Sequence, residues 1–549
     1  MNRLFSRKRL FPSTFRPRLE RVEERECPSC TVFQRGDELV ILGDREANAI
    51  TIADTREGDI AVTCDGGDPH RFSGVGQIVV ASFGGDDSVD ATFSGLSSPS
   101  FQFRAELGAG DDRLEIRGFD PQPDPPAQSR AFAINAGIGN DSVAFDLGSA
   151  EVNGQFFVEV NGGFGIDAMS VRAIIPCVLP ESELRIAMIG GPGMDAIDAS
   201  LTGLENEGGQ FEMDLDGGEG NDRLSLDALD PCIIPGSRTR IAMSGGLGDD
   251  TIDATLSGLE NEGGQFALEF NGGFGIDAMS VRAIIPCVLP ESELRIAMIG
   301  GPGADAIDAS LSGLENEGGR FAMDLDGGEG NDRLSLDAID PCIVPGSRTR
   351  IAITGGADDD ALSALFGGAP ETRERSELDG ALQLDLGGGR GDDAVALDLA
   401  NAEIRGGTNV NVDGDAGLDQ IRLGIAADVR IVGALDLSAR GGIGNDVMES
   451  FIIPCILPEA RGSFLFDGGT GDDRIDARVG MHEHDTGALA VHVSGGLGDD
   501  DLTLALSGTE FLLSLQAVVD GGDGHDVAHV TSDVRVVNCE EIDLLDGPR

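Results

Sequence analysis

The sequence predicts an all-β fold, a parallel β-solenoid with two strands in each coil of about 27 residues. Three observations predict it. A Gly-Gly-x-Gly-x-Asp turn recurs from near residue 84 to residue 526. Apolar and polar residues alternate on both sides of that turn, the period of a half-buried strand. Residues 161–250 recur almost unchanged at 271–360, an offset of 110 residues equal to four turns of the smaller repeat.

Residues 1–35 read as a basic leader without a packed fold, with Arg3, Arg7, Lys8, Arg9, Arg16, Arg18, Arg21 and Arg25 crowded together. No apolar run of the length of a secretory signal's core follows them, so a standard signal peptide is not evident. Nor does any stretch approach the ~18 apolar residues of a membrane span. Residues 36–80 read as an N-terminal β segment or cap, and 81–530 as the solenoid, opened by a degenerate copy at Phe83 to Asp87. Residues 531–549 read as a C-terminal cap or a secretion signal.

The motif aspartates are Asp112, Asp141, Asp167, Asp195, Asp222, Asp250, Asp277, Asp305, Asp332, Asp360, Asp393, Asp419, Asp446, Asp473, Asp500 and Asp526. Most steps are 26–28 residues, with one of 33 after Asp360, where GGAPETRERSE is inserted. Phe211, Met213 and Leu215 alternate before one turn, and Leu224 and Leu226 after it. Each unit is then strand, turn, strand and a second turn of about ten residues. Stacked at about 4.8 Å per coil, some 17 coils make a rod near 80 Å long. A propeller is a poor fit, because its four-stranded blades need about 40–45 residues.

Composition excludes several functions. Asp and Glu number 97 against 39 Lys and Arg, a net charge of −58 that makes nucleic acid an improbable partner. Apolar residues at 40% argue against disorder and for a fold whose charge is offset by bound cations. Trp and Tyr are absent, which removes the usual sugar-stacking cleft. Neither HExxH nor GxSxG occurs, and Lys8 is the sole lysine, so a β-solenoid polysaccharide lyase is the least favoured alternative and the chain reads as no enzyme.

The turn itself points to calcium. Paired glycines allow positive φ and a sharp bend, and the aspartate sets a carboxylate beside backbone carbonyls, the hard oxygen ligands that Ca²⁺ prefers. Clean copies are Gly217-Gly218-Glu219-Gly220, Gly245-Gly246-Leu247-Gly248, Gly468-Gly469-Thr470-Gly471 and Gly495-Gly496-Leu497-Gly498, each ending two residues on in its aspartate. The candidate ligands are these glycines' carbonyls and the aspartates above. Asp360 (in GGADDD) and Asp419 (in GDAGLD) are set apart as simple turns, because their glycine pattern is broken. Asp216, Asp249, Asp472 and Asp499 read as extra or outer ligands.

From the first glycine to two residues past the aspartate, the copies read G-G-x-G-x-D-x-U-x with U apolar (Leu224, Ile252, Ile475, Leu502), and twelve keep all three glycines and the aspartate. This resembles the RTX (haemolysin-type) calcium-binding nonapeptide. The resemblance implies a right-handed parallel β-roll with Ca²⁺ held between successive turns. RTX nonapeptides come in tandem, whereas here nine residues fit and about eighteen do not; one row of ions is therefore expected, along one edge. Arg16 to Ser29 (RPRLERVEERECPS) resembles the leader of many large bacterial surface and exported proteins, which implies an extracellular or cell-surface location.

On the opposite edge, LENEGG turns alternate with Pro-Cys turns at Cys177, Cys232, Cys287 and Cys342. Two coils apart, these cysteines are about 9.6 Å from one another, beyond the ~7 Å limit of a disulfide, and read as buried unpaired thiols, with cross-linking between molecules or metal capture as the alternatives. Cys27-Pro28-Ser29-Cys30 is a CxxC without the βαβ context of a redox site, and His482, His484 and His492 read as a polar loop. The function expected is a calcium-stabilised surface or adhesin-like repeat protein. The alternative is a calcium-dependent binding module for a surface polysaccharide or another surface protein.

Overall fold

Period-two alternation produces strands whose inward side chains form one continuous core. A computed structural model describes residues 30–55, 58–94, 100–119, 128–368, 375–482, 485–508 and 514–545. Among these residues there is no helix, and hence none long and apolar enough to cross a membrane. Residues 1–29 of the leader, including Cys27, and His484 lie outside the described residues, whereas the end of the segment read as leader, Thr31–Arg35, is a strand.

Parallel coils of about 27 residues stack into a β-solenoid of about 16 turns. A representative coil runs through Gln210–Glu219, the motif turn, Arg223–Leu229 and the short strand Cys232–Ile233. Its successor lies parallel and in register, with Phe211 on Thr239, Met213 on Ile241 and Gly218 on Gly246. Phe211, Met213 and Leu215 point inward from the first strand, and Leu224, Leu226 and Ala228 from the second, all nearly inaccessible. At roughly 1.5–3 kcal/mol for each large apolar side chain buried, this interior is the main source of stability.

The second turn departs from the sequence expectation of a plain loop. It contains a third strand of two or three residues, and twelve such strands form a short sheet of their own. A two-residue strand is too short to show a period, which is why alternation does not reveal it.

The polar groups of the Asn206 corner are internally satisfied. Asn206 is fully buried; its amide donates to Arg238 O and Thr239 Oγ1, and its Oδ1 accepts from Gly209 N–H at 3.0 Å. Ser237 Oγ donates to Asn206 O and accepts from Gly208 N–H. Asn261 and Asn316 repeat the arrangement.

The first coil is covered by antiparallel strands: Thr31–Arg35 on Glu38–Leu42, and Ala49–Asp54, Asp59–Cys64 and His70–Ser73 in series. Cys30 and Cys64 form a disulfide across this region, with Cα atoms 6.0 Å apart, so Cys30 belongs to a covalent staple and not to a free CxxC pair. At the far end Glu541–Leu544 is the last rung and is exposed along its length.

Candidate metal centre

Each motif turn joins a first-sheet strand to a second-sheet strand, and stacking brings the motif aspartates into one buried row. The row includes Asp87 and every aspartate from Asp112 to Asp526 named above, each 0–3% exposed. Asp360 and Asp419, set apart in sequence, take the same place as the rest. Asp358 (φ 78°) and Asp415 (φ 68°) adopt the left-handed conformation that glycine supplies elsewhere.

One oxygen of each carboxylate has a fixed task. The backbone N–H of each aspartate donates to Oδ1 of the aspartate one coil later, at 2.7–3.0 Å, from Asp87 through to Asp526. Asn48 N–H donates to Asp87 at the start, and Glu540 accepts from Asp526 N–H at the end. A second ladder runs the opposite way one residue earlier. Asp249 N–H donates to Asn221 Oδ1, Ile276 N–H to Asp249 Oδ1, Asp472 N–H to Asn445 Oδ1 and Asp499 N–H to Asp472 Oδ1. Asp249, Asp472 and Asp499 are thus exposed caps of the turn. Asp216 sits on the outward face of its strand. The visible signal for this second ladder is Asp or Asn directly before the motif aspartate in many copies.

The other oxygen is different. Oδ2 of all seventeen aspartates is buried and has no hydrogen-bond partner. It folds back over its own turn: a Cβ added to Gly217 would lie 2.5 Å from Asp222 Oδ2 and 2.6 Å from Gly245 O of the next coil. Glycine at Gly245, Gly468 and Gly495 keeps the same space open beside Asp250, Asp473 and Asp500. The second and third glycines answer to the backbone instead. Gly218 (φ 106°), Gly246, Gly248, Gly469, Gly471, Gly496 and Gly498 all have positive φ, and a Cβ on Gly220 (φ 144°) would strike the carbonyl of Gly193. At Asp112 and Asp141 the first glycine is replaced by Leu107 and Ala136, both fully buried.

Burial pushes the carboxyls up, against the opposing effect of the Oδ1 hydrogen bond, and for these residues neighbouring aspartates add to the rise. Asp112, Asp360, Asp419 and Asp473 reach about 7. Asp141, Asp195, Asp222, Asp277, Asp332 and Asp500 reach about 6. Asp167, Asp250, Asp305, Asp393 and Asp446 are also raised, chiefly by burial. Unit charges about 5 Å apart repel by about 3 kcal/mol at an effective dielectric near 20. A hydrogen bond to a charged group returns only ~1.5–3 kcal/mol, and interior members of the row have two charged neighbours. The row therefore calls for neutralisation, by protons or by cations. The donor set is hard oxygen throughout, which fits calcium and not a soft metal.

The other sequence candidates are not gathered here. Cys177, Cys232, Cys287 and Cys342 lie at the far corner as free thiols, half-buried and not the fully buried fillers expected. Burial first, then nearby glutamates, push Cys177 up to about 12 and Cys287 to about 11. His482 N–H donates to Asp485 Oδ2, while His492 is exposed on the strand Ala488–Leu497.

Compared with known proteins, the chain matches no protein-family model and no curated protein.

Proposed function

We propose that the chain is an extracellular or cell-surface structural repeat protein, adhesin-like in character, whose folding is coupled to Ca²⁺ held between stacked GGxGxD turns. The observation that carries this reading is the row of buried, unpartnered Oδ2 atoms. A corner that only needed a tight turn would resemble the Asn206 corner, where every polar group named has a partner. The motif corner instead leaves one charged oxygen per coil without one. Motif carboxylates with glycine carbonyls such as Gly245 O would hold the ion, and the ion would supply the positive charge that the row lacks. The resemblance to RTX repeats and to exported-protein leaders supports both the metal and the location.

Circular dichroism during calcium titration of the full chain tests the reading. The expected outcome is a largely unfolded chain in chelator that gains a β spectrum as calcium is added, because metal binding to a site formed only on folding is folding free energy. A β spectrum and unfolding midpoint indifferent to chelator would overturn it.

One observation favours binding as a second role. On the outer face of the second sheet, Ala361, Ser363, Ala394 and Ala396 line an open groove of about 440 Å³ together with Arg333, Arg422 and Glu449. Two arginines against one glutamate, in so acidic a chain, suit an acidic surface polysaccharide. Pull-down on such a polysaccharide, with and without calcium, tests this; no retention in either condition sinks it.

A further inference from the structure

The short sheet carries its own row of side chains, at the corner remote from the motif aspartates. In register, Glu151 pairs with Cys177, Cys177 with Glu205, Glu205 with Cys232, and Cys232 with Glu260. Cys287, Glu315 and Cys342 continue the series. Thiol and carboxylate alternate from coil to coil, about 4.8 Å apart. The second glutamate of each Glu-Asn-Glu segment follows two residues after the first and so shares its outward face.

In two places these groups converge. One ligand atom each from Cys177, Glu205 and Glu207 lies within 4.8 Å of the other two, and the same holds for Cys232, Glu260 and Glu262. All six side chains are half-buried or exposed, and both cysteines are free thiols. The pattern is not a general property of cysteine in this corner. Cys455 occupies the same strand position, but its register neighbour is Arg430, and among the described residues no such cluster forms there.

We propose that Cys177 with Glu205 and Glu207, and Cys232 with Glu260 and Glu262, are two binding sites for a borderline-soft divalent cation of zinc's class. One thiolate and two carboxylates supply three ligands, and water would complete a tetrahedral set. Sulfur in the set selects against calcium, which takes oxygen ligands. These sites are thus chemically separate from the motif edge, and two kinds of cation would sit on two edges of one rod.

The test is Co²⁺ titration of the full chain, thiols confirmed reduced, in saturating Ca²⁺. Cobalt stands in for zinc and reports thiolate ligation through its near-ultraviolet sulfur-to-metal absorption. The expected result is a band corresponding to two sites, halved in Cys177→Ser and lost in Cys177→Ser/Cys232→Ser. Cys455→Ser should leave it intact, and Glu205→Gln should weaken Co²⁺ binding at the first site by roughly tenfold or more. Circular dichroism of each variant establishes that it is folded. No band with reduced thiols, or a band undiminished in the double variant, overturns the proposal. The readout is specific to sulfur and calcium is present throughout, so failure here leaves the calcium reading untouched.

Discussion

Asp222 shows how one residue can both build and burden the fold. Its Oδ1 satisfies the buried N–H of Asp195, and its Oδ2 brings charge into a place with no donor. The two functions are separable by substitution. Asp222→Ala leaves the Asp195 N–H orphaned and should cost ~1–3 kcal/mol in urea unfolding near pH 5 in chelator, where protons neutralise the row. Asp222→Asn retains an acceptor and removes the charge. It should be neutral or stabilising in chelator, yet lower the calcium stoichiometry in native mass spectrometry; an unchanged ion count would remove Asp222 from the ligands. The raised carboxyls also set a pH dependence. A carboxyl whose folded-state value is raised favours the neutral form in the fold. Its contribution is complete below the unfolded value of 3.8 and is lost as pH rises through about 6 to 7. In chelator the chain, largely unfolded near pH 8, should therefore gain β signal in circular dichroism as pH is lowered to about 5. A β signal that falls over this interval would contradict the burial of the row.

At the scale of the coil, three strands and three corners divide the work unequally. The long strands hold the core, the Asn206 corner locks the short sheet through satisfied hydrogen bonds, and the motif corner is shaped by backbone alone. Gly220→Ala should disrupt its turn, because both the positive φ and the Gly193 carbonyl oppose a side chain; a loss above ~2 kcal/mol is expected. Gly236→Ala, at φ 87° with open space around it, should cost only ~1 kcal/mol. Equal losses in thermal unfolding would show that φ alone, and not the stacked backbone, decides. These positions also mark how far sequence could be read. The period and the alternation of Phe211, Met213 and Leu215 were enough for the long strands, because burial on one face leaves a period of two. Cys232–Ile233 was hidden because two residues have no period. Asp360 and Asp419 were set apart because their motifs lack glycines, whereas the backbone accepts Asp358 and Asp415 at positive φ. Asp or Asn before the motif aspartate marks the second ladder, but the opposed pairing was beyond reach, since it joins residues 28 apart through a choice of oxygen.

For the whole molecule, stability is a sum over neighbouring coils, as in other stacked repeats. The net charge of −58 acts along the rod, and neutralising the inner row is the one change that relieves every coil together. Residues 161–250 and 271–360 differ at few positions and use the same register: Gly191 pairs with Gly218 as Gly301 pairs with Gly328. Deleting residues 191–300 therefore joins Gly190 to Gly301 without creating a new interface. The shortened chain should fold, keep its β spectrum and bind up to four fewer calcium ions, having lost Asp195, Asp222, Asp250 and Asp277. Aggregation of the deletion chain would show that the two copies are not interchangeable. Interchangeable copies make length a heritable variable: unequal exchange between the two duplicated stretches of coding sequence would add or remove four coils at a time, leaving both ends of the rod and whatever they engage unaltered.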